Sequence, residues 1–455
     1  MATRAQAGVE TSRKETFLLV ARALADGRAR IPAGRFAELA VRLAATDDAW
    51  LTGLIGWMSG HDVLRRLRLA AVAELAHARL TAGVPGRSLV AESLRRADEP
   101  GALLTYWLRR YGRAVPKPVK RGVADAVVRL YDEPALATYD SPAAALRFAD
   151  VLALTHPAPR DAVQAAVFRH AADRRHGNAG RVPEALPLLR ARRSLYRVSP
   201  GRRAALLQGR EGAEILERAA MTWQTVQRWL LGDMTGAAWT AVLPTMPYQD
   251  MLTHLPDFDR TGVADEAAAR AAARLTEPAA VVRSEVTPLE TMAATRAVPG
   301  SRWSPALREA TRLSLANVPA LGGRTLVLVD RTAPASPRAD DMAVFGAALA
   351  LRASSADLVE FGAGTAGVPA RGGEALPEVV RRFRPLGGST GPAAATRRHL
   401  DGHDRIVILT HPGGAPEAAD TLTAPGHEHV VTDASAGWLR AIPYVETART
   451  AAWPF

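Results

Sequence analysis

The stretch from Arg109 to Asp125 carries the clearest chemistry in this sequence. Pro116 and Pro118 suit the first turn of a helix, where a missing N–H costs nothing. Val119, Val123, Ala126, Val127 and Leu130 then recur at helical spacing and form one apolar stripe. Lys117, Lys120 and Arg121 fall off that stripe, close to the helix start. There the helix dipole is positive and the first N–H groups lack partners, an arrangement that favours phosphate. The only other lysine is Lys14, and every remaining cation is arginine. On spacing alone, a solvated basic helix end accounts for these residues equally well. A later helix closes at Leu154-Thr155-His156-Pro157. A lone histidine before proline at a helix end is more often a cap than a ligand contact.

The densest basic region follows His156. Arg160, Arg174, Arg175, Arg192 and Arg193 are the candidate contacts, with Arg169, Arg181, Arg190, Arg197, Arg202, Arg203, His176 and Tyr196 among them. Clustered arginine with an occasional aromatic can neutralise phosphates and stack on unpaired bases. The competing account is a set of solvated helix faces, partly balanced by Asp161, Asp173 and Glu184.

These residues must be positioned by a chain of 455 residues with a net charge of +12. That length exceeds one ordinary hydrophobic core and implies two domains or a repeat array. The charge is uneven. Residues 316–455 hold 13 Arg and 14 Asp plus Glu, for −1, which leaves +13 on the residues before them. A GC-rich genome explains arginine over lysine but not this asymmetry, and a polyanion partner for the first part does. Cysteine is absent, which fits a reducing cytoplasm and excludes disulfides and thiolate chemistry. The polar residues 1–14 are expected to be disordered and resemble no signal peptide. No apolar run approaches the ~18–20 residues that span a bilayer.

From residue 15 to 317 the pattern is helix after helix, separated by Gly-, Pro- and Asp-rich loops such as Gly83-Val84-Pro85-Gly86. Helical pairs without an exact repeat indicate a degenerate HEAT-like array. From 318 to 455 the grammar changes. Strands at Arg324–Asp330, Asp357–Phe361, Arg405–Thr410 and His427–Thr432 alternate with helices, which predicts a parallel, doubly wound sheet. Ligands in such sheets sit at the carboxyl ends of the strands, where Asp330, Thr410 and the Gly387-Gly388-Ser389-Thr390 loop would converge. No P-loop pattern is present, and the chain reads as non-catalytic, with no cofactor.

The segment Pro116-Lys117-Pro118-Val119-Lys120-Arg121-Gly122-Val123-Ala124-Asp125-Ala126, followed by the Leu154-Thr155-His156-Pro157 helix end, resembles the RNA-binding helices of the Ro autoantigen family. The order of later pieces, Trp239 to Pro247, Met251 to Leu255 and Val286 to Leu289, is similar to that family as well. The resemblance implies a mostly α-helical ring of repeats (the TROVE module) over residues 15–317. It also implies a C-terminal α/β domain like von Willebrand factor A over 318–455. Small structured Y-like noncoding RNA would bind a basic outer face, and single-stranded ends of misfolded RNA would enter a central hole. An exoribonuclease is a candidate protein partner; DNA and membranes are not expected. The A-type domains of the family hold a metal with an Asp-x-Ser-x-Ser loop, a Gly-Gly-Thr loop and a distal Asp. Here those positions read Asp330-Arg331-Thr332-Ala333-Pro334, Ser389 or Thr390, and Thr410-His411. Proline and imidazole are poor replacements for the oxygens of a hard cation, so a degenerate, empty site is expected at Asp330, Thr332 and Ser389. The rival class is a HEAT-type protein-interaction scaffold with a metal-independent A-like docking domain.

Overall fold

A computed structural model describes residues 2–26, 33–178, 180–332, 336–388, 391–421 and 427–455. The chain is mostly helical and ends in one five-stranded sheet with flanking helices. It divides into two compact units. One comprises Met1–Ala23, Arg28–Thr245 and Ala451–Phe455; the other comprises Leu24–Gly27 and Met246–Thr450. The boundary read at 317/318 therefore marks the change to strand-bearing architecture, not the division between compact bodies.

Every regular element described in the first unit is a helix. Neighbours pack in successive pairs, Ala33–Thr46 against Arg65–Thr81 and Arg87–Ser93 against Lys117–Leu130. The second pair meets at Gly122. A Cβ there would lie 2.6 Å from the Arg87 carbonyl oxygen and 2.8 Å from the Val90 Cβ, so the crossing requires glycine. Buried charge is confined to a few well-bonded groups. Arg68 and Glu99 form a buried pair. Glu74, also buried, accepts from the Tyr106 hydroxyl at 2.6 Å, from Arg110 Nε at 3.1 Å and from the Tyr111 hydroxyl.

Residues 2–14 are not disordered; they begin a helix that runs Ala2–Asp26. Ser12 and Thr16 are buried on it, and their hydroxyls donate to the carbonyls of Gly8 (2.9 Å) and Ser12 (2.7 Å). Lys14 pairs with Glu10 at 2.9 Å, four residues earlier. Polar residues satisfied within one helix look like a disordered tail in a hydropathy pattern. The same helix presents Phe17 to the far end of the chain. The Phe17 ring lies 5.4 Å from that of Trp453 and 6.2 Å from that of Phe455, and Trp50 lies 5.2 Å and 5.6 Å from the same two. Phe455 occupies the space a side chain at Gly53 would need, with a ring carbon 2.5 Å from an ideal Cβ.

In the second unit the strands are β1 (Leu321–Asp330), β2 (Ala353–Phe361), β3 (Thr365–Gly367), β4 (Arg405–Leu409) and β5 (His427–Val431). Their order is β3-β2-β1-β4-β5, parallel except for β3, which pairs antiparallel with β2. The sheet is thus mixed, not wholly parallel. Only Gly362-Ala363-Gly364 separates β2 from β3, enough for a hairpin and too short for a crossover. Side chains alternate along β1. Val327 and Val329 face Phe345, Leu439 and Ile442, while Leu326 and Leu328 face Ala395 and Ala418. The first of these cores includes Leu289 and Val318. The helix Pro288–Ala297 therefore belongs to this unit, although its pattern continues the helical series. Among the described residues, no helix is long and apolar enough to cross a membrane.

Candidate nucleic-acid interface

The helix predicted around Lys117 runs Lys117–Leu130, with Pro116 extended at its cap and Pro118 in its first turn. Val119, Gly122, Val123, Ala126 and Val127 are buried on it. Lys117 and Arg121 are exposed and Lys120 is half-buried. None of the three side chains has a hydrogen-bond or ion-pair partner among the described residues. Arg109 and Arg113, just before the helix, are exposed and unpaired in the same sense. Arg110 and Tyr111 are different, being used to satisfy Glu74. Asp125 on this helix is neutralised by Arg87, which forks onto it at 2.6 and 2.8 Å.

His156 ends the Phe148–Thr155 helix in the left-handed region, φ 48° and ψ 55°, and its N–H donates to the Leu152 carbonyl at 2.9 Å. Its backbone makes the cap. The imidazole is exposed and has no partner among the described residues. A non-glycine residue here costs energy, and Pro157 after it restricts the backbone further. Arg160 sits at the opposite end of the 117–130 helix from Lys117. Its Nη1 is 3.5 Å from the Val128 carbonyl, and nearby Gln164 donates to the Val128 and Tyr131 carbonyls at 2.9 and 2.8 Å. Eleven residues of helix separate the Lys117 and Val128 levels, roughly 16 Å of axis.

The structure sorts the arginines after His156 into two kinds. Arg175 pairs with Asp150 at 3.0 Å, and Arg174 reaches Asp140 at 3.5 Å. Asp140 is buried and already bonded to Arg147 at 2.7 Å and to the Phe148 N–H at 3.1 Å. Arg192 donates to the Ala137 carbonyl at 2.5 Å, and Arg193 to the Gly180 carbonyl. Those carbonyls hold the guanidiniums without cancelling their charge. Arg169, Arg190, Arg197 and Arg202 are exposed and unpaired among the described residues. One contributor escaped the sequence reading. Arg228, on the Trp223–Leu230 helix, is brought to the cluster because Trp229 Nε1 donates to the Leu195 carbonyl at 2.9 Å. Burial holds the Arg192 pKa below its ordinary value, and like charge from Arg174 and Arg228 adds to this. Burial likewise lowers the pKa of His170, with Arg174 and Arg193 contributing.

At the carboxyl ends of β1 and β4, Asp330 is buried and fully bonded. One oxygen accepts from the Thr332 N–H at 2.9 Å and its hydroxyl at 2.6 Å; the other accepts from the Thr410 hydroxyl and His411 Nδ1, both at 2.8 Å. Burial alone would raise the pKa of this carboxyl, but the bonds from Thr332, His411 and Thr410 outweigh it and hold it low. Four protein donors thus occupy the oxygens that a Mg²⁺ ion would need, and the set does not fit a hard cation. Among the described residues no cluster of three acidic, His or Cys side chains is placed to hold a metal. Pro334 and Ser389 lie outside the described residues. Arg331 is a buried tie and not a free cation beside the site. It donates to the carbonyls of Ala339 (2.6 Å) and Arg384 (3.3 Å), and its own carbonyl accepts the N–H groups of Leu386 and Gly387, each at 3.2 Å. Gly387 thus meets the end of β1, while Ser389 and Thr390 of the same loop lie outside the described residues.

No protein-family model matches the chain, and no curated protein matches it in sequence. Among solved structures it is similar to the crystal structure of the Deinococcus radiodurans Ro (RSR) protein. The two are 18% identical, with 90% of this chain and 93% of that one covered and a TM-score of 0.67. The match spans both the helical series and the C-terminal sheet, so this chain carries the mostly helical, C-terminally α/β fold of that Ro protein.

Proposed function

We propose that this chain is a non-catalytic RNA-binding protein of the Ro family. In this reading it holds small structured, Y-like noncoding RNA on the basic surface around Lys117, Lys120, Arg121 and His156, and it takes single-stranded ends of misfolded RNA. It serves as a ribonucleoprotein scaffold or RNA quality-control factor in the cytoplasm, with an exoribonuclease as candidate partner. One observation carries the reading: three unneutralised cations at one helix start, in a unit that otherwise pairs many of its arginines. The shared fold supports it.

The test is filter binding of a stem-loop RNA to the full chain and to the Lys117→Ala, Lys120→Ala, Arg121→Ala triple variant. Each lost phosphate contact makes the salt slope shallower by roughly 0.7–0.9. The triple variant is expected to bind at least tenfold more weakly at moderate salt. Unchanged affinity in a folded triple variant removes the Lys117 surface from the assignment, and no binding of the stem-loop by the full chain overturns the RNA reading in favour of a protein-binding scaffold.

A further inference from the structure

We propose that Lys117 and Lys120 form an acylation site, at which a small acyl phosphate transfers its acyl group to the lysine amines and removes two cations from the basic helix start. The consequence for RNA rests on the reading of the chain as an RNA-binding protein; the site itself rests on the chemistry of this surface.

The residue types come first. Of the 58 Lys and Arg residues in the chain, only Lys14, Lys117 and Lys120 are lysine. A general preference for arginine explains that scarcity, but not the placement of two of the three within one turn of a single helix. The two side chains differ in what can be done to them. A guanidinium keeps its proton and its charge, whereas a lysine amine is open to acylation, which cancels its charge.

Access and surroundings complete the site. Lys117 is exposed and Lys120 half-buried, and at a spacing of three residues they share a helix face. Neither Nζ has a partner among the described residues. Lys14 is exposed as well, but its Nζ is engaged by Glu10 at 2.9 Å. No Asp or Glu occurs from Arg109 to Ala124, and Asp125 is taken by Arg87. Arg109, Arg113 and Arg121 are exposed and unpaired among the described residues. Cations without counter-charges concentrate small anions at a surface, and guanidiniums bind phosphate with particular strength. The donor that fits is therefore an acyl group activated by phosphate.

In the step itself, a lysine Nζ in its neutral form attacks the carbonyl carbon of the acyl phosphate. The bond from that carbon to the phosphate oxygen breaks, inorganic phosphate leaves with the electron pair, and the nitrogen gives up a proton to water. An amide forms without oxidant or reductant. The arginines act on both ends of the step, first on the donor and then on the departing phosphate.

The probe is acetyl phosphate, added to the full chain, with acetylation at each lysine followed by peptide mass spectrometry. Lys117 and Lys120 are expected to react about tenfold faster than Lys14. Arg109→Gln with Arg113→Gln should slow that labelling and leave labelling by an uncharged succinimidyl acetate unchanged. Stem-loop RNA should protect Lys117 and Lys120 but not Lys14. The acetylated chain should bind the stem-loop more weakly, with a salt slope shallower by roughly 0.7–0.9 for each lysine modified. In a Lys117→Arg, Lys120→Arg variant, treatment should leave the stem-loop affinity where it stood before treatment. All of these residues lie on the surface, and thermal melts verify the fold. Labelling of Lys14 as fast as Lys117 and Lys120, or undiminished labelling in the arginine variant, overturns the site. Full acetylation at both lysines with unchanged RNA affinity overturns its role as a switch. An untreated chain that binds no stem-loop, yet labels fast at Lys117 and Lys120, would sink only the RNA reading.

Discussion

His411 Nδ1 lies 2.8 Å from Asp330 Oδ2, at the point where β1 and β4 separate. With Thr332 and Thr410, the imidazole fills the acceptor positions of this carboxylate. Millimolar Mg²⁺ is therefore expected to leave the melting temperature of the chain unchanged, and EDTA likewise. Asp330→Ala should cost roughly 2–4 kcal/mol, because Thr332, Thr410 and His411 lose a charged acceptor. A magnesium-dependent rise in melting temperature that Asp330→Ala abolishes would contradict this account.

A second histidine–carboxylate pair sets a pH dependence. His429 Nε2 lies 3.0 Å from Glu446, which also takes a fork from Arg405, and all three are largely buried. Burial lowers the His429 pKa despite the neighbouring carboxylate. Glu446, which burial alone would raise, is pulled down to about 2 by Arg405 and His429. Both folded pKa values lie below the unfolded ones, so both groups favour folding at high pH. The His429 contribution is complete above about 6.5 and falls as pH drops below it; that of Glu446 is complete above about 4.3 and fades toward pH 2. Urea midpoints measured from about pH 7.5 to about pH 2 should fall in two stages, and Glu446→Gln should flatten the lower one. A midpoint that is constant over that range contradicts the network.

Because His156 is held at φ 48°, glycine at this position should relieve backbone strain. His156→Gly is expected to raise stability by about 1 kcal/mol, while removing the imidazole from the proposed RNA surface. Melting curves and stem-loop binding on this one variant separate the two roles. A gain in stability with undiminished RNA preference would make His156 a turn residue only.

At Gly122 the expectation runs the other way. Gly122→Ala adds one methyl between two backbones already in contact, and overpacking of this kind costs typically about 1–3 kcal/mol. Calorimetry on the variant checks it, and a neutral result would mean that the Arg87–Ser93 helix can shift outward.

Much of this architecture is legible in residue order. The continuous apolar run within Arg324–Asp330 and the helical stripe from Val119 to Val127 are strong local signals, and both elements form where expected. Other features depend on partners distant in sequence. Arg228 is some thirty residues from Tyr196 and is brought to the same cluster by the Trp229–Leu195 bond. Arg174 and Arg192 read as two equivalent cations, yet one meets a buried carboxylate and the other a carbonyl. Arg110 and Tyr111 belong by sequence to a basic stretch, whereas the fold spends them on Glu74. Charge is visible in a sequence; whether that charge is already neutralised is a property of the tertiary structure.

The aromatic contact of Phe17 and Trp50 with Trp453 and Phe455 has a consequence for the order of biosynthesis. The helix that bears Phe17 is made well before two of its partners, which follow the whole second unit. At about 5–20 residues per second, that interval is on the order of tens of seconds. Throughout it the nascent chain displays a patch of phenylalanine and tryptophan, a surface of the kind chaperones hold. A chain that lacked Ala451 to Phe455 would leave Phe17 and Trp50 without two of their ring partners.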